Sequence, residues 1–367
     1  MSGAVGRESV IIGGGPAGLA AAIEIAKAGG KVLVIDENKR PGGQLFKQIH
    51  KFFGSKAHNA GIRGMDIGSR LLQDTLELGV EVWLEAAALG IFDNKQVAVL
   101  KEGRTVLVNA EKILISTGAA ENAVCFPGWT LPGVMGAGAA QTMINVNRVL
   151  PGQRALMIGS GNVGVIVAYQ LLQAGAEVAG IVEGMPHIGA YGVHASKVRR
   201  AGVPFYLSHT IIRAEGEGRV ENAVIAALDE KWKPVSSTEK KLDVDIVCIA
   251  AGLRPLTEIA WMSGVKHDYV PELGGFMPIH DEDMETNVPG IFVAGDSAGV
   301  EEANTAMDEG RLAGAAMAAS LGYLKTAEAE KTKEELRSRL LALRQGPFGE
   351  KRLAAKNRIV EEGTHGA

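Results

Sequence analysis

The chain has 367 residues, 46% hydrophobic and 22% charged, enough for two or three domains that each bury a core. A formal net charge of −4 and the lack of any lysine- or arginine-rich block argue against a nucleic-acid partner. The two cysteines, Cys125 and Cys248, lie too far apart in sequence to form a CxxC set, so neither a zinc nor an iron-sulfur site is expected, and no metal. Both are expected to pack as small buried hydrophobes in a reducing compartment. Glycine or charge interrupts every apolar run before the roughly 18 to 20 residues of a membrane span, and "MSGAVGRESVII" reads as a first strand, so a cytoplasmic location is expected.

In chain order, "SVIIGGGPAGLAAAIEIAKAGGKVLVIDE" reads as an apolar strand, a glycine turn, a helix and a second apolar strand. The turn is Gly13-x-Gly15-x-x-Gly18, with Pro16 and Ala17 opening the helix. Its first glycine permits a tight turn, its second lets backbone approach a pyrophosphate, and its third lets helix and strand pack closely. Asp36 and Glu37 end the next strand, where a carboxylate accepts a hydrogen bond from an adenosine ribose; spacing favours Asp36. The loop "RPGGQLFKQIHKFFGSKAHNAG" follows, with Gly42, Gly43 and Gln44 near its start. Short β-rich runs broken by "DNK" and "KEG" then form an antiparallel meander that rejoins the sheet and ends in "ILISTG", containing Thr117 and Gly118.

The same plan repeats from Arg154. "RALMIGSGNVGVIVAYQLLQAGAEVAGIVE" carries Gly159-x-Gly161-x-x-Gly164, with Asn162 and Val163 at the helix start and Glu183 at the end of the next strand. A carboxylate there suits the free 2'-hydroxyl of NAD and repels the 2'-phosphate of NADP, and "EGMPHIG" supplies no lysine or arginine, so NAD is preferred. A second meander ends in "VCIAAG", containing Gly252. The chain then returns to the first domain through "TNVPGIFVAGDSAG", with Gly295 and Asp296, and a helix from about Glu302. These readings give an α/β chain with two Rossmann-like βαβ domains, each a three-layer ββα sandwich. The expected domains are residues 1–122 with 273–330, residues 123–272, and a helical tail at 331–367.

Two such glycine motifs, with "PGGQ" at 41–44, "STGA" at 116–119 and "TNVPGIFVAGD" ending at Asp296, resemble the FAD- and NAD-linked pyridine-nucleotide reductases of thioredoxin-reductase type. The resemblance covers nearly the whole chain. It implies that Asp296 binds the ribityl chain of FAD, that Gly42 to Gln44 line the flavin, and that Asp36 holds the FAD ribose. Those reductases carry a CxxC in the second domain or a cysteine pair after the first βαβ unit. This chain has neither, which excludes a dithiol relay within it.

"CFPGWTLPGVMGAGAAQTMINVNRVLPG" and "GGQLFKQIHKFFGS" are similar to a narrower group, the α-type flavoprotein subunits of hydrogen cyanide synthase, opine oxidase, hydroxyproline dehydrogenase and heterotetrameric sarcosine oxidase. That resemblance implies a flavoprotein subunit working on a small-molecule redox substrate beside an amino-acid-oxidase-like flavoprotein subunit and a small iron-sulfur protein. Two alternatives stand beside it: a self-sufficient NADH-dependent reductase for a quinone, ferredoxin or small organic acceptor, and a nucleotide-holding scaffold without turnover. No catalytic acid or base is assigned. His50, His58, His187 and His194 fall near the two nucleotide motifs, as do Lys47 and Gln48, but hydride transfer needs alignment more than a proton-transfer group.

Overall fold

The computed structural model describes residues 5–52, 56, 59–346 and 349–365. They form two compact units, one from residues 1–120 and 254–367, the other from residues 121–253.

The first unit begins with β1 (Val5–Ile12), α1 (Pro16–Lys27), β2 (Val32–Ile35), α2 (Gly64–Glu77) and β3 (Glu81–Trp83), followed by β4 (Ala86–Phe92), β5 (Gln96–Lys101) and β6 (Arg104–Ile115). β3, β2, β1 and β6 lie side by side, all parallel. Val10–Ile12 of β1 and all of β2 are apolar on both faces because both faces are covered there. The outer edge of β6 is shared between two neighbours. Residues 104–109 pair antiparallel with β5, which pairs with β4, whereas residues 113–115 pair in parallel with the returning strand Ile291–Val293. In register, Ile12 lies beside Ile35 and Ile115, and Ile115 beside Val293, so Gly13, Asp36, Ser116 and Ala294 follow at one carboxyl edge.

The second unit has a five-stranded parallel sheet in the order 205–207, 177–183, 154–158, 246–249, 134–136. Its strands show the three layers directly. Ala155, Met157, Ile246 and Cys248 pack with the helices Asn162–Gln173 and Gly192–Arg200, while their alternating neighbours Leu156, Ile158, Val247 and Ile249 pack against the meander. This meander is a separate antiparallel sheet of His209–Glu215, Asn222–Ala227 and Lys240–Asp243. The repeat is therefore unequal: in the first unit one long strand serves both sheets, and in the second it does not.

The return and the C-terminal segment differ from the sequence reading. Residues 254–272, read as part of the second domain, lie with the first unit, where Ala260 and Val265 join its core. The charged tail is not simply solvated. The helix Thr326–Leu343 buries Leu336 and Leu340 in the same core, and the helix Glu350–His365 buries Ala355 and Ile359 against Val270, Leu273 and Met277.

The helix Ala303–Ser320 lies against α1 with almost no space between backbones. A Cβ on Gly310 would come within 2.1 Å of the Ala17 carbonyl oxygen, and one on Gly314 within 2.7 Å of that of Ala21. On this helix Glu309 is 1% exposed and accepts from Gly295 N at 2.9 Å, Arg344 Nη2 at 2.5 Å and Lys356 Nζ at 2.7 Å. Lys356 also donates to the Ala298 carbonyl at 2.7 Å, and Arg344 pairs with Glu301. Burial would raise the Glu309 pKa, but the charges of Lys356 and Arg344 outweigh it and hold the carboxyl below its ordinary range. The two C-terminal helices are thus fastened to the Gly295–Ala298 turn through one carboxylate. Glu309→Gln leaves the buried Lys356 without its counter-charge and Arg344 with Glu301 alone, and should cost about 3 kcal/mol of stability, read as a lower denaturation midpoint. An unchanged midpoint would show that the network adds nothing.

Candidate dinucleotide-binding sites

The two glycine triplets have the same steric layout. A Cβ on Gly13 would meet the Ser116 carbonyl oxygen at 2.2 Å, and one on Gly159 the Ala250 oxygen at 2.3 Å. A Cβ on Gly18 would lie 2.0 Å from the Gly13 oxygen, and one on Gly164 2.2 Å from that of Gly159. These four positions are closed by backbone. At Gly15 and Gly161, which precede the helices that start at Pro16 and Asn162, nothing lies within 4 Å of an added Cβ. The middle glycine in each copy therefore borders open space at a helix N-terminus, where a pyrophosphate fits.

The carboxylates repeat as closely. Asp36 accepts from Gly14 N at 2.7 Å with one oxygen and from Asn38 N at 2.8 Å with the other. Glu183 accepts from Ser160 N at 2.9 Å and Met185 N at 2.9 Å in the same pattern. Each acid is thus fixed by the residue after the first glycine and by the residue two positions beyond itself. A carboxylate has about four acceptor positions, so room remains for a ribose hydroxyl. Glu37, by contrast, is exposed. Each loop is secured once more by a residue in left-handed backbone: Glu85 (φ 49°) donates to the Asn38 carbonyl, and Ser208 (φ 52°) to that of Met185. Neither carries a sequence signal for this role, since neither is glycine or asparagine.

Around the first triplet, the loop at Gly42–Gln44 folds onto the glycine turn. Gly42 N donates to the Gly14 carbonyl at 2.6 Å, and a Cβ on Gly43 would lie 3.0 Å from Gly15 Cα. Gly43 and Gln44 are exposed, and the Arg40 guanidinium stacks 3.4 Å over the Phe46 ring behind them. Thr117 donates its hydroxyl proton to the Leu256 carbonyl at 2.6 Å, and Gly118 (φ 80°) has open space around it. The side chain of Ala17 faces the helix interface, with Gly295 packed beside it. In the second unit Val163 and Gly252 are exposed, and Asn162 Oδ1 accepts from Tyr191 N at 2.9 Å.

Asp296 lies at the turn that Glu309 fastens. Desolvation, helped by Glu309, Glu302 and Glu301 and opposed by a hydrogen bond from the Glu301 backbone, raises its pKa to about 7. A half-buried acid with other carboxylates around it suits a hydroxyl donor such as a sugar alcohol.

The histidines offer little chemistry. His50 stacks on Phe52 with centroids 5.8 Å apart, His187 is exposed, and His194 is buried with a pKa lowered by desolvation and Lys197. His58 lies outside the described residues, while Lys47 and Gln48 are half-buried. Cys125 is exposed, contrary to expectation, because it lies in the irregular segment before Phe126, whereas Cys248 is buried within its strand and its thiol is pushed up to about 12. No group of potential metal ligands occurs among the described residues, and none of the described helices is long and apolar enough to cross a membrane.

A family model for pyridine nucleotide-disulphide oxidoreductases matches residues 7–310. The chain belongs to this family. FAD and NAD(P)H are the cofactors of the family, and the open glycine turns and fixed carboxylates of both units fit them. The chain is 29% identical to hydrogen cyanide synthase subunit HcnB of Pseudomonas aeruginosa, over 94% of this chain and 77% of that one. It is 30% identical to an opine oxidase subunit of Rhizobium meliloti, over 86% and 71%. Among solved structures, L-proline dehydrogenase from P. horikoshii aligns with a TM-score of 0.69 at 25% identity over 91% of this chain, which spans 59% of that one. Thioredoxin reductase from T. acidophilum aligns with a TM-score of 0.72 at 20% identity, over 86% of this chain and 99% of that one, a likeness of fold. The chain is a flavin-dependent oxidoreductase related to subunits of multi-subunit oxidising enzymes.

Two outcomes follow from this geometry. Gly15→Val fills open space and should fold with an unchanged midpoint yet lose bound flavin, whereas Gly18→Val should fail to fold stably; absorbance and thermal denaturation separate the two. The folded chain holds the Asp296 proton more tightly than the unfolded chain. Asp296 should therefore contribute a loss of stability to the flavin-free protein as pH rises from about 4 towards 7, a contribution that Asp296→Asn removes. Denaturation midpoints across that range would show it.

Proposed function

We propose that this chain is the pyridine-nucleotide-linked flavoprotein subunit of a dehydrogenase complex that oxidises an amine or amino acid. In this reading FAD occupies the first unit, held by Gly13 to Gly18, Asp36, Gly42 to Gln44 and Asp296. NAD occupies the second, held by Gly159 to Gly164 and Glu183. Flavin when bound supplies an acceptor for a hydride and a donor of single electrons. The chain's own residues bind and orient: the open turns admit pyrophosphates, Asp36 and Glu183 face riboses, and Asp296 receives a ribityl hydroxyl. The electron partners would be an amino-acid-oxidase-like flavoprotein subunit and a small iron-sulfur protein.

The observation that carries this reading is the joint presence of two fully shaped nucleotide turns and the absence of any cysteine pair in the sequence. A chain equipped to take up reducing equivalents, with no dithiol of its own, must pass them to an acceptor outside itself, and a redox centre on a neighbouring polypeptide is the acceptor favoured by this reading. The names of its relatives, subunits of hydrogen cyanide synthase and opine oxidase, support the same reading.

Anaerobic mixing of the isolated flavoprotein with NADH tests it. NADH should bleach the flavin band near the usual ~450 nm once, with no sustained turnover on quinones, ferredoxin or small organic acceptors until the partner subunits are added. Steady NADH oxidation by the isolated chain with a diffusible acceptor would identify a stand-alone reductase instead. A colourless protein carrying an adenine nucleotide would identify a scaffold.

A further inference from the structure

The two copies differ most in the turn after the second meander strand. In the first unit β5 and β6 are joined by residues 102–103 alone, while in the second unit residues 228–239 connect Asn222–Ala227 to Lys240–Asp243. The extra residues carry Trp232 to the carboxyl end of the strand Glu177–Glu183. There its indole is so close that a Cβ on Gly184 would lie 2.8 Å from Trp232 Cζ3. Gly184 directly follows the carboxylate that the proposed function assigns to the ribose.

Trp232 is not held there by burial, since 59% of it is exposed. It is held by its backbone, in the left-handed region at φ 60°, a conformation that costs a non-glycine residue free energy. The loop makes that geometry firm. Asp229 accepts from the backbone N–H groups of Lys231 and Lys233 at 2.9 and 2.8 Å, and its own carbonyl accepts from Trp232 N at 3.0 Å. The loop's base is tied to the same strand end, because Leu228 N donates to the Ser208 carbonyl and Ser208 N to that of Met185. A large aromatic face therefore stands largely in water against the residues that follow Glu183. Its left-handed backbone and its place beside that carboxylate, rather than its exposure, single it out among the exposed tryptophans.

We propose that Trp232 is the adenine-stacking surface of the second nucleotide site, an extension present only in this copy of the repeat. The ligand class is an adenosine dinucleotide whose ribose meets Glu183 and whose base lies on the indole. Stacking is indifferent to the nicotinamide end, so Trp232 acts on the adenosine half alone. The inference rests on the second unit binding a dinucleotide.

The test uses the FAD-loaded protein with ADP-ribose, NAD and nicotinamide mononucleotide as probes, comparing wild type, Trp232→Ala, Trp232→Phe and Glu183→Ala by calorimetry. Trp232→Ala should weaken ADP-ribose and NAD alike by about tenfold or more, leave nicotinamide mononucleotide unchanged, and be largely rescued by Trp232→Phe. ADP-ribose should also quench tryptophan emission in wild type and much less in Trp232→Phe. Because the Trp232 side chain is mostly exposed, Trp232→Ala and Trp232→Phe should keep the wild-type denaturation midpoint. If Glu183→Ala loses ADP-ribose while Trp232→Ala keeps it, the stacking role is overturned and the nucleotide site stands. If wild type binds no ADP-ribose, both the stacking role and the second nucleotide site are overturned; if all variants bind it equally, the stacking role and the ribose role of Glu183 are overturned.

Discussion

The distance between backbones at the head of each βαβ unit governs this molecule. Where Gly13 meets Ser116 and Gly18 meets Gly13, and again where Gly159 meets Ala250 and Gly164 meets Gly159, no side chain of any size fits. That contact sets the angle at which each helix leaves its sheet and directs its free N–H groups beyond the strand ends. The carboxylate at the end of the neighbouring strand then hydrogen-bonds the same turn, so the helix N-terminus and the carboxylate are positioned by one piece of backbone. A site made this way is rigid before any ligand arrives, which reduces the ordering cost of binding.

In the first unit the same economy extends to the far end of the chain. Glu309 is a buried anion with two buried cations, and its second oxygen holds the amide of Gly295. Buried ion pairs are poor sources of net stability compared with well-packed apolar groups, but they are exacting about position. Here the position specified is that of Asp296, which lies next to the fastened amide. The C-terminal helices thus bear on the proposed flavin site without lining it.

Much of this was legible in sequence because it is local. The spacing of Gly13, Gly15 and Gly18, the apolar strands, and Asp36 or Glu183 at a strand end all lie within about thirty residues of one another, within reach of periodicity and turn chemistry. What was not legible depends on partners distant in the chain. Arg344 and Lys356 sit in a segment whose charge suggests a solvated surface, and only the approach of Glu309 makes them interior residues. Residues 254–272 read as part of the second domain because nothing in "LTEIAWMSGV" announces which core Ala260 and Val265 will join. Trp232 sits in a polar stretch, and its meaning depends on Gly184, far upstream. Glu85 and Ser208 adopt left-handed backbone that their residue types do not favour, a local conflict of the kind that accumulates around functional sites.

The unequal surroundings of the two cysteines have a practical consequence. Cys248 is sealed in a central strand with its thiol pushed up to about 12, so it is inert to thiol reagents at neutral pH, while Cys125 stands exposed. The native chain thus offers a single addressable thiol, and it lies in the second unit. A fluorophore or spin label attached there would need no cysteine to be added or removed, and would report on the second unit alone.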